Sequence, residues 1–440
     1  MGLKVLKFGG SSVADGIQLA KIKEIVEHDR DRRYVVVSAP GKRFDGDSKI
    51  TDLLYMCKTQ FDHNIPCDQL FQVIADRYNA VAYNLKVDVD LESHFREIRE
   101  EMEKGCSVDY VVSRGEYLSA VLVAAYLGYD FVDTKDLILF DSRGRLLGEE
   151  TNEAIQKELA QHERAVLPGF YGSRKDTGKV QVFSRGGSDI TGSLVARAMG
   201  ADIYENWTDV SGLLMADPRI VKNPKPIDRI SYIELRELSY MGASVLHEDA
   251  VFPVRKADIP INIRNTNAPQ DPGTIITGDT ESLGDKVISG IAGKKDFTII
   301  TIYKNMMNKE IGFVRRALMI LEDFHINFEH MPTGIDSVSM VIESKELEDK
   351  LEDVLEAFRV QLAPDDINVD SDMAMIAVVG LGMTRRIGTA ARIIDTMRDQ
   401  SINIRMLIQG TSEINTMLGV ENKDFEKAMQ SIYREFEPEE

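Results

Sequence analysis

Short, continuous runs of apolar residues alternate with segments of helical spacing over the first half of the chain. Residues 34–39 (YVVVSA) are almost entirely apolar and β-branched, which is typical of a parallel strand covered on both faces. An earlier extended run, residues 4–8 (KVLKF), is separated from it by residues 17–28, which have helical spacing. The pattern predicts a βαβ unit. Similar runs at residues 164–170 and 260–265 predict further strands, so we expect an α/β domain over residues 1–284.

The pattern then changes to two similar units. The run FTIITIY from Phe297 is followed by EIGFVRRALMILEDFHIN, and the run MAMIAVV from Met373 is followed by RIGTAARIIDTMRDQSIN. The Ile-Gly pair at 311–312 recurs at 387–388, and the Ile-Asn pair at 326–327 recurs at 402–403 with the same offset. We therefore predict an internal repeat of strand, Gly-led helix, strand, strand and helix.

The second repeat ends with a helical segment and leaves no residues for a fourth strand. A unit with three strands would have an open sheet edge. We predict that residues 286–292 (KVISGIA) supply the missing strand, so that the two repeats interlock within one chain.

Composition and charge narrow the choice of partners. With 53 Lys and Arg against 72 Asp and Glu, the formal charge is −19, and no sustained basic run is present. These features argue against nucleic acid or an anionic membrane as a partner. The three cysteines have no metal-binding spacing and no apolar stretch is as long as a membrane span. We expect a soluble, cytoplasmic protein with reduced thiols.

The segment KVLKFGGSSV, residues 4–13, has two interpretations. It is a strand that runs directly into Gly9 and Gly10 and then into two serines, with Lys7 close by. In the first interpretation this is only a tight strand-to-helix turn. In the second it is an anion site, where the free amides of the glycines face a phosphate and Lys7 adds a full charge.

Three further segments carry polar residues in similar settings. They read SRGEYLSA (residues 113–120), FSRGGSDITGS (183–193) and NWTDVSGLLMADPR (206–219). None contains the Walker A or the dinucleotide-binding motif. Each segment alone is weak evidence for a binding site, because charged residues near turns are usually solvated or act as helix caps. Four such segments in one domain favour a shared phosphate-binding site.

The segments KFGGSSV, SRGE, SRGGSD and WTDVSG…DPR resemble the signatures of the amino acid kinase family, specifically its aspartate kinase branch. The resemblance covers essentially the whole chain, because these kinases carry a catalytic domain followed by two ACT units. It implies an α/β fold of amino acid kinase type, a three-layer sandwich with a mainly parallel sheet, and two ferredoxin-like α+β units. The implied domains are residues 1–284, 285–366 and 367–440.

The reaction implied by the resemblance is transfer of the ATP γ-phosphoryl group to the β-carboxylate of L-aspartate. The product is 4-phospho-L-aspartate, the first intermediate towards lysine, threonine and methionine. ATP and Mg²⁺ are the implied co-substrate and ion, with no metal ligands assigned. The acceptor carboxylate is already ionised at neutral pH, so no general base is needed. Two alternatives remain, a sibling kinase with another acceptor and a catalytically weak amino acid sensor.

The resemblance also assigns residues to roles. The implied catalytic residues are Lys7 and Asp189. The implied aspartate-binding residues are Ser38, Thr51, Glu116, Arg185 and Ser188. The implied nucleotide-binding residues are Lys7, Phe8, Gly9, Gly10, Thr208, Asp209, Leu214, Asp217, Arg219, Ser244 and Val245. Many family members have tyrosine at the position of Leu214 and lysine at that of Ser244, so the affinity for ATP is open to question.

ACT units in this family usually bind an end-product amino acid at a site shared by two chains. The implied effector site of the first repeat lies around Met306, Gly312 and Phe313, where a helix N-terminus would hold a carboxylate. The second strand, INFEHM, carries Glu329, whereas the second repeat has Arg405 at the matching place. We therefore expect L-lysine as the effector and a homodimer or homotetramer formed through the ACT units. Threonine as effector, a merely solvated Glu329, and repeats used only for dimerisation are the alternatives.

Overall fold

The computed structural model describes residues 2–184, 186–243, 246, 248–280 and 286–437. The chain forms two compact units. The first comprises Met1–Leu213, Pro226–Leu235 and Val245–Leu283, and the second comprises Leu214–Lys225, Arg236–Ser244 and Gly284–Glu440. In the part of the chain that is described, no helix combines the length and the apolar character needed to cross a membrane.

The strands before residue 281 are short and mostly buried. They are β1 (Lys4–Phe8), β2 (Arg32–Val37), β3 (Asp130–Phe131), β4 (Leu139–Phe140), β5 (Ala165–Pro168), β6 (Tyr171–Arg174), β7 (Val180–Val182), β8 (Ile203–Thr208), β9 (Leu213–Leu214), β10 (Pro226–Ile227), β11 (Arg229–Ser231), β12 (Ile261–Asn265) and β13 (Thr274–Thr277). Eight of them form one sheet in the order β11-β13-β12-β8-β1-β2-β5-β3. All neighbours in this sheet are parallel except β12 and β13.

The helices of the same region follow. They are α1 (Gly16–Glu27), α2 (Ile50–Asp62), α3 (Asp68–Leu85), α4 (Leu91–Glu103), α5 (Val108–Leu127), α6 (Gly148–Leu159), α7 (Gly187–Met199), α8 (Tyr232–Tyr240) and α9 (Glu248–Lys256). The predicted βαβ unit is confirmed as β1, α1 and β2. The apolar run predicted as a covered strand is fully buried from Val35 to Val37, because helices pack over this sheet and its core.

The parallel order of the sheet determines where a site can lie. Strands β1, β2, β5 and β8 are adjacent or nearly adjacent and parallel, so their carboxyl ends meet at one edge. The segments that follow these ends begin at Gly9, Ser38, Gly169 and Asp209. Ligands of open α/β sheets bind at this edge.

Between residues 286 and 437, the described part of the second unit forms an antiparallel sheet with helices packed on it. The strands are β14 (Gly290–Tyr303), β15 (Ser337–Glu343), β16 (Asp366–Val379), β17 (Met406–Gln409) and β18 (Asn415–Glu421). The helices are α10 (Phe313–Asp323), α11 (Leu351–Leu362), α12 (Thr389–Asp399) and α13 (Phe425–Phe436). The sheet order is β15-β14-β16-β18-β17, with antiparallel neighbours throughout.

The predicted interlocking of the two repeats is confirmed. The first half of β14, from Gly290 to Lys294, pairs with Met375–Val379 of the second repeat. The exchange is also reciprocal, which the sequence did not indicate. The first part of β16, Asp366–Asp370, pairs with the second half of β14 and so completes the sheet of the first repeat. Each of the two long strands therefore serves both repeats.

The strand predicted at INFEHM is wrong. Only isolated bridges occur there, between His330 and Val341 and between Thr333 and Val338, whereas the second repeat has β17 at the matching place. Pro332 explains the difference, because a proline has no N–H group for a strand ladder. The matching residue of β17 is Ile408.

Candidate active site

Lys7 lies near the end of the central strand β1 and is almost fully buried, with 7% of its surface exposed. Its Nζ lies 2.6 Å from Oδ1 of Asp189. A buried ammonium needs a compensating charge, and this carboxylate supplies it. The two proposed catalytic residues are therefore in direct contact.

Besides Lys7, two side chains hold Asp189 in place, those of Asn206 and Tyr204. Asp189 lies in the first turn of α7, which begins after Gly186 in the left-handed conformation, with φ of 59°. Asn206 Nδ2 donates a hydrogen bond of 2.7 Å to Oδ1 of Asp189. The hydroxyl of Tyr204 donates to its backbone carbonyl at 3.2 Å. Asn206 was not predicted from the sequence, because its place opposite Lys7 depends on the pairing of β1 with β8.

In the glycine turn after β1, only one of the two glycine amides expected to face a phosphate is available. The N–H of Gly9 is not free, because it donates to the carbonyl of Trp207 at 3.0 Å and extends the ladder between β1 and β8. A Cβ at Gly9 would lie 3.5 Å from Nζ of Lys7, so this glycine keeps the space beside the ammonium open. The donors for an anion come instead from Gly10 and Ser11 at the start of the helical turn Gly10–Val13, because the first N–H groups of a helix have no partner within it, whereas the N–H of Ser12 already donates to the carbonyl of Gly9 at 2.9 Å.

Phe8 was expected to contact the nucleotide. Its side chain is fully buried and stacks against Trp207 with 6.0 Å between the ring centroids. Its carbonyl accepts a hydrogen bond of 3.1 Å from the N–H of Ser38. The side chain therefore belongs to the core, so a nucleotide contact would have to come from the backbone of Phe8, and its nucleotide-binding role stays a prediction.

Glu116 is the most unusual carboxylate of this edge. It lies on α5 with 5% of its surface exposed, and its Oε2 is buried without a hydrogen-bond partner. Burial raises the pKa of Glu116 to about 8, although a hydrogen bond from the Ala39 backbone and the charge of Arg114 oppose the shift. A buried carboxylate oxygen without a partner is a site suited to a cation.

The remaining predicted aspartate-binding residues surround these groups. Ser38 follows β2 directly and is tied to the end of β1 by its N–H. Thr51 lies in the first turn of α2, whose first residue, Ile50, donates to the carbonyl of Pro40 at 3.1 Å. Ser188 is the second residue of α7 and is 8% exposed. Gly169 must lack a side chain, because a Cβ there would lie 2.6 Å from Oγ of Ser188.

Arg185, Ser244 and Val245 lie outside the described residues, so their predicted roles stay predictions. Among the other predicted nucleotide residues, Thr208 ends β8 and its hydroxyl donates to Asp209 at 3.1 Å. Both belong to the first unit.

Leu214, Asp217 and Arg219 belong to the second unit. Leu214 is 37% exposed. Arg219 and Asp217 form an ion pair of 2.5 Å, and the arginine lowers the pKa of the Asp217 carboxyl. The guanidinium is largely exposed, so this pair is available to an external ligand.

Two of the predicted effector residues, Met306 and Glu329, are hydrogen-bonded to residues at or near opposite ends of β15. Met306 is in the left-handed conformation with φ of 61°, and its N–H donates to Asp336 at 2.7 Å. The N–H of Glu329 donates to the carbonyl of Val341 at 2.7 Å. Asp336 and Val341 are five residue steps apart, which span about 16 Å in an extended strand. One chain alone therefore does not bring Met306 and Glu329 into one pocket.

The other two predicted effector residues lie at the start of α10. Gly312 caps this helix with φ of 81°, and Phe313 is buried with 2% exposure. In the same unit, burial raises the pKa of Tyr240, and a hydrogen bond from its hydroxyl to the carboxylate of Glu329 raises it further. Across the residues that could be searched, no group of three or more His, Cys, Asp or Glu residues could hold a metal ion.

Comparison with known proteins gives consistent matches. Residues 2–265 match the sequence profile of the amino acid kinase family, and residues 376–436 match that of an ACT domain. Aspartokinase 3 of Bacillus subtilis is 38% identical over 449 residues, which cover 99% of this chain and 98% of that protein.

Solved structures are similar over the same length. The crystal structure of an aspartate kinase from Clostridium acetobutylicum, described as an allosteric enzyme, superposes with a TM-score of 0.94 at 49% identity and covers 99% of this chain and 100% of that chain. Escherichia coli aspartokinase III in complex with aspartate and ADP gives a TM-score of 0.73 at 25% identity, covering 98% of this chain and 99% of that chain. The complex of the same enzyme with lysine and aspartate gives a TM-score of 0.74 at 25% identity, covering 99% of this chain and 100% of that chain.

Proposed function

This chain belongs to the amino acid kinase family, and from that premise we infer that it is an aspartate kinase. An oxygen of the β-carboxylate of L-aspartate attacks the γ-phosphorus of ATP, and the bond from that phosphorus to the β,γ-bridging oxygen breaks. The products are ADP and 4-phospho-L-aspartate. The observation that carries this inference is the match to aspartokinases along nearly the whole length of both chains, catalytic and ACT units included.

We propose that Lys7 neutralises the charge that develops on the transferring phosphoryl group. Phosphoryl transfer depends on positioning and charge stabilisation more than on covalent chemistry by the protein. Asp189 orients the ammonium of Lys7, and Asn206 orients Asp189 in turn. Neither acts as a base, because the acceptor carboxylate carries no proton at neutral pH.

We propose that Glu116 receives the α-ammonium of aspartate, and that Arg185 receives its α-carboxylate through a bidentate contact. The partnerless Oε2 of Glu116 supports the first assignment. Ser38, Thr51 and Ser188 supply the hydroxyl contacts. Ala39 links the ammonium site to the phosphate turn, since its N–H donates to Glu116 and its carbonyl lies against Gly10, where a Cβ would approach to 3.0 Å.

We propose that ATP binds with its phosphates at Lys7, the space kept by Gly9, and the N–H groups of the turn that begins at Gly10. Thr208 and Asp209 of the first unit supply nucleoside contacts. The nucleotide-binding roles that the resemblance implies for Leu214, Asp217 and Arg219, and for Ser244 and Val245 outside the described residues, stay predictions. Mg²⁺ arrives with the nucleotide, because this ion is usually held by substrate phosphates and water more than by a protein cage.

We propose that L-lysine inhibits the enzyme by binding at the first repeat. The hydrogen-bond partners of Met306 and Glu329, Asp336 and Val341, are about 16 Å apart along the chain, so the pocket takes the start of α10 from one chain and Glu329 from another. This arrangement requires a homodimer or a homotetramer. Escherichia coli aspartokinase III has been crystallised with lysine bound, which supports the choice of effector. We also propose a cytoplasmic location, where the three free cysteines stay reduced.

The activity is tested by coupling ADP release to NADH oxidation with a panel of acceptors. We expect ADP release that depends on L-aspartate and is absent with L-glutamate or with carbamate. Turnover with another acceptor but not with aspartate would indicate a sibling kinase, and binding of lysine without any turnover would indicate a sensor.

A further inference from the structure

Two consecutive residues of α3, Arg77 and Tyr78, reach separate segments of the proposed aspartate site. The helix itself lies outside the main sheet and supplies none of the residues assigned to substrate. Both side chains are buried, with 7% and 1% of their surface exposed. The hydrogen bonds of both side chains go to residues outside α3.

Arg77 binds the loop that connects β2 to α2. Its guanidinium donates to the carbonyl of Gly41 at 2.7 Å and to that of Ser48 at 2.7 Å. Asp47 of the same loop lies 3.7 Å from the guanidinium and is also held by Arg43 at 2.8 Å. The loop is therefore fastened at both of its ends to one rigid helix.

Gly41 transmits this restraint to the phosphate turn. Its N–H donates to the carbonyl of Gly10 at 2.8 Å, and a Cβ at Gly41 would lie 2.8 Å from the carbonyl carbon of Gly10. The two backbones touch, so a shift of the loop has to move the turn that faces the phosphate.

Tyr78 binds the other side of the site. Its hydroxyl donates to the carbonyl of Gly115 at 2.7 Å, one residue before Glu116. Gly115 packs on Ala39, where a Cβ would lie 2.8 Å from the Ala39 side chain. Ala39 in turn donates its N–H to Glu116. The ammonium site and the phosphate turn are thus connected through residues 39–41 and held by α3 from behind.

We propose that Arg77 and Tyr78 are positioning residues that set the distance between the ammonium of bound aspartate and the transferring phosphoryl group. The inference rests on the proposed function, because it takes Glu116 as the ammonium site and Gly10 as part of the phosphate site. Aspartate spans both points, whereas ATP contacts only the second. Loss of either restraint therefore raises the KM for aspartate and lowers kcat, and leaves the KM for ATP nearly unchanged. Small displacements of reacting groups have large effects on rate.

The first test compares Tyr78→Phe with Tyr34→Phe in the full-length enzyme. Tyr34 is the control, because it is also buried in the first unit and its hydroxyl donates to backbone carbonyls, those of Leu159 at 3.0 Å and His162 at 3.2 Å. Tyr34→Phe therefore loses at least as much neutral hydrogen bonding as the bond from Tyr78 to Gly115, so a general loss of stability would affect the control no less. We expect Tyr78→Phe to raise the KM for aspartate about fivefold, the scale of one such bond, and Tyr34→Phe to leave it at the wild-type value.

The second test uses Arg77→Lys and Arg77→Met. Lysine can donate to one of the two carbonyls but cannot span both, because it lacks the planar fork of arginine. We expect kcat/KM for aspartate to fall in the order wild type, Arg77→Lys, Arg77→Met, with at least a tenfold loss in the last. Thermal unfolding of each variant identifies any that do not fold, in which case the tyrosine pair decides.

These experiments distinguish failure of the proposed kinase activity from failure of the positioning role of Arg77 and Tyr78. No aspartate-dependent turnover in the wild type would overturn the proposed function itself. Wild-type turnover, together with a Tyr78→Phe variant whose KM for aspartate matches that of Tyr34→Phe, would overturn the positioning role. An equal rise in the KM for ATP and for aspartate would also overturn it, because a general loosening of the fold would then explain the result.

Discussion

The ammonium of Lys7 and the carboxylate of Asp189 lie 2.6 Å apart at the carboxyl edge of the main sheet. They are 182 residues apart in the chain and meet because β1 and α7 converge there. Asn206 donates to the same carboxylate oxygen, so the ammonium and the amide fix this carboxylate from two sides. The lysine can then face a phosphoryl group without leaving a buried charge uncompensated.

Replacing Lys7 by alanine should reduce kcat by about 10²–10³, the usual loss when one preorganised electrostatic donor is removed. Lys4 is the matched control, since it lies on the same strand and forms an ion pair of 2.8 Å with Asp29 at the opposite end from the site. Steady-state kinetics of Lys4→Ala should be close to wild type. A Lys7→Ala enzyme that kept more than a tenth of its activity would remove Lys7 from the phosphoryl site.

Replacing Asn206 by alanine should lower kcat about tenfold and leave both KM values nearly unchanged, because Asp189 loses an orienting hydrogen bond but no substrate contact. Asn262 on the adjacent strand β12 is the control, as it is buried to a similar degree, with 9% exposure against 4% for Asn206. Comparable loss of kcat in both variants at equal melting temperature would indicate a general effect on the sheet.

The pH dependence of kcat/KM for aspartate should report Glu116. Its pKa of about 8 means that the free enzyme carries a protonated Glu116 at pH 7. Only the carboxylate form pairs with the substrate ammonium, so kcat/KM should rise with pH and level off above about 8. Glu116→Gln should lower kcat/KM and abolish this rise.

Glu234 provides the control for that profile, because it is equally buried but accepts hydrogen bonds from the N–H and hydroxyl of Ser231 at 3.0 and 2.7 Å. Glu234→Gln should keep the wild-type pH profile. If the wild-type profile were flat between pH 6 and 9, Glu116 would not be the group that binds the ammonium.

Stability should depend on the same ionisation. The folded-state pKa of Glu116 lies above its ordinary value of 4.5, so its protonated form favours folding, fully below pH 4.5 and progressively less up to pH 8. The wild type should lose about 1.4 kcal/mol per pH unit from this group within that window. In thermal unfolding, the free energy of unfolding of Glu116→Gln should increase relative to that of the wild type as the pH rises from 5 to 8. A constant difference would contradict the shifted pKa.

Inhibition by lysine should depend on Glu329. We expect L-lysine to inhibit the wild type, and Glu329→Gln to require at least tenfold more lysine, since loss of a charge-assisted hydrogen bond costs about 1.5–3 kcal/mol of binding free energy. Arg405→Gln, at the matching place of the second repeat, should keep the wild-type response. Inhibition by threonine alone, or an unchanged response of Glu329→Gln, would refute this effector site.

The sequence allowed prediction of those parts of the fold that depend on residue types close together in the chain. The apolar run at Val35 to Val37 and the glycine turn after β1 follow from residue types close together in sequence. Pro332 shows the limit of such reasoning, because the repeat suggested a strand that the ring of this one residue prevents. The fully buried Phe8 side chain is a similar case, where a motif residue serves the core.

The residues that were missed act through distant partners. Asn206 was within a quoted segment, but its role depends on Asp189, which belongs to α7. Arg77 and Tyr78 lie in an ordinary amphipathic helix, and nothing in their own segment indicates that they bind Gly41 and Gly115. Contacts of this kind are set by tertiary packing, so they become visible only in the structure.

The central claim is that this protein phosphorylates the β-carboxylate of L-aspartate. Hydroxylamine converts an acyl phosphate to a hydroxamate, so the direct measurement is formation of aspartate β-hydroxamate from ATP, Mg²⁺ and L-aspartate, quantified by mass spectrometry. The account predicts hydroxamate in proportion to the ADP released, at the β position, and a loss of both in Lys7→Ala. ADP release without hydroxamate, or hydroxamate on another amino acid but not on aspartate, would contradict it.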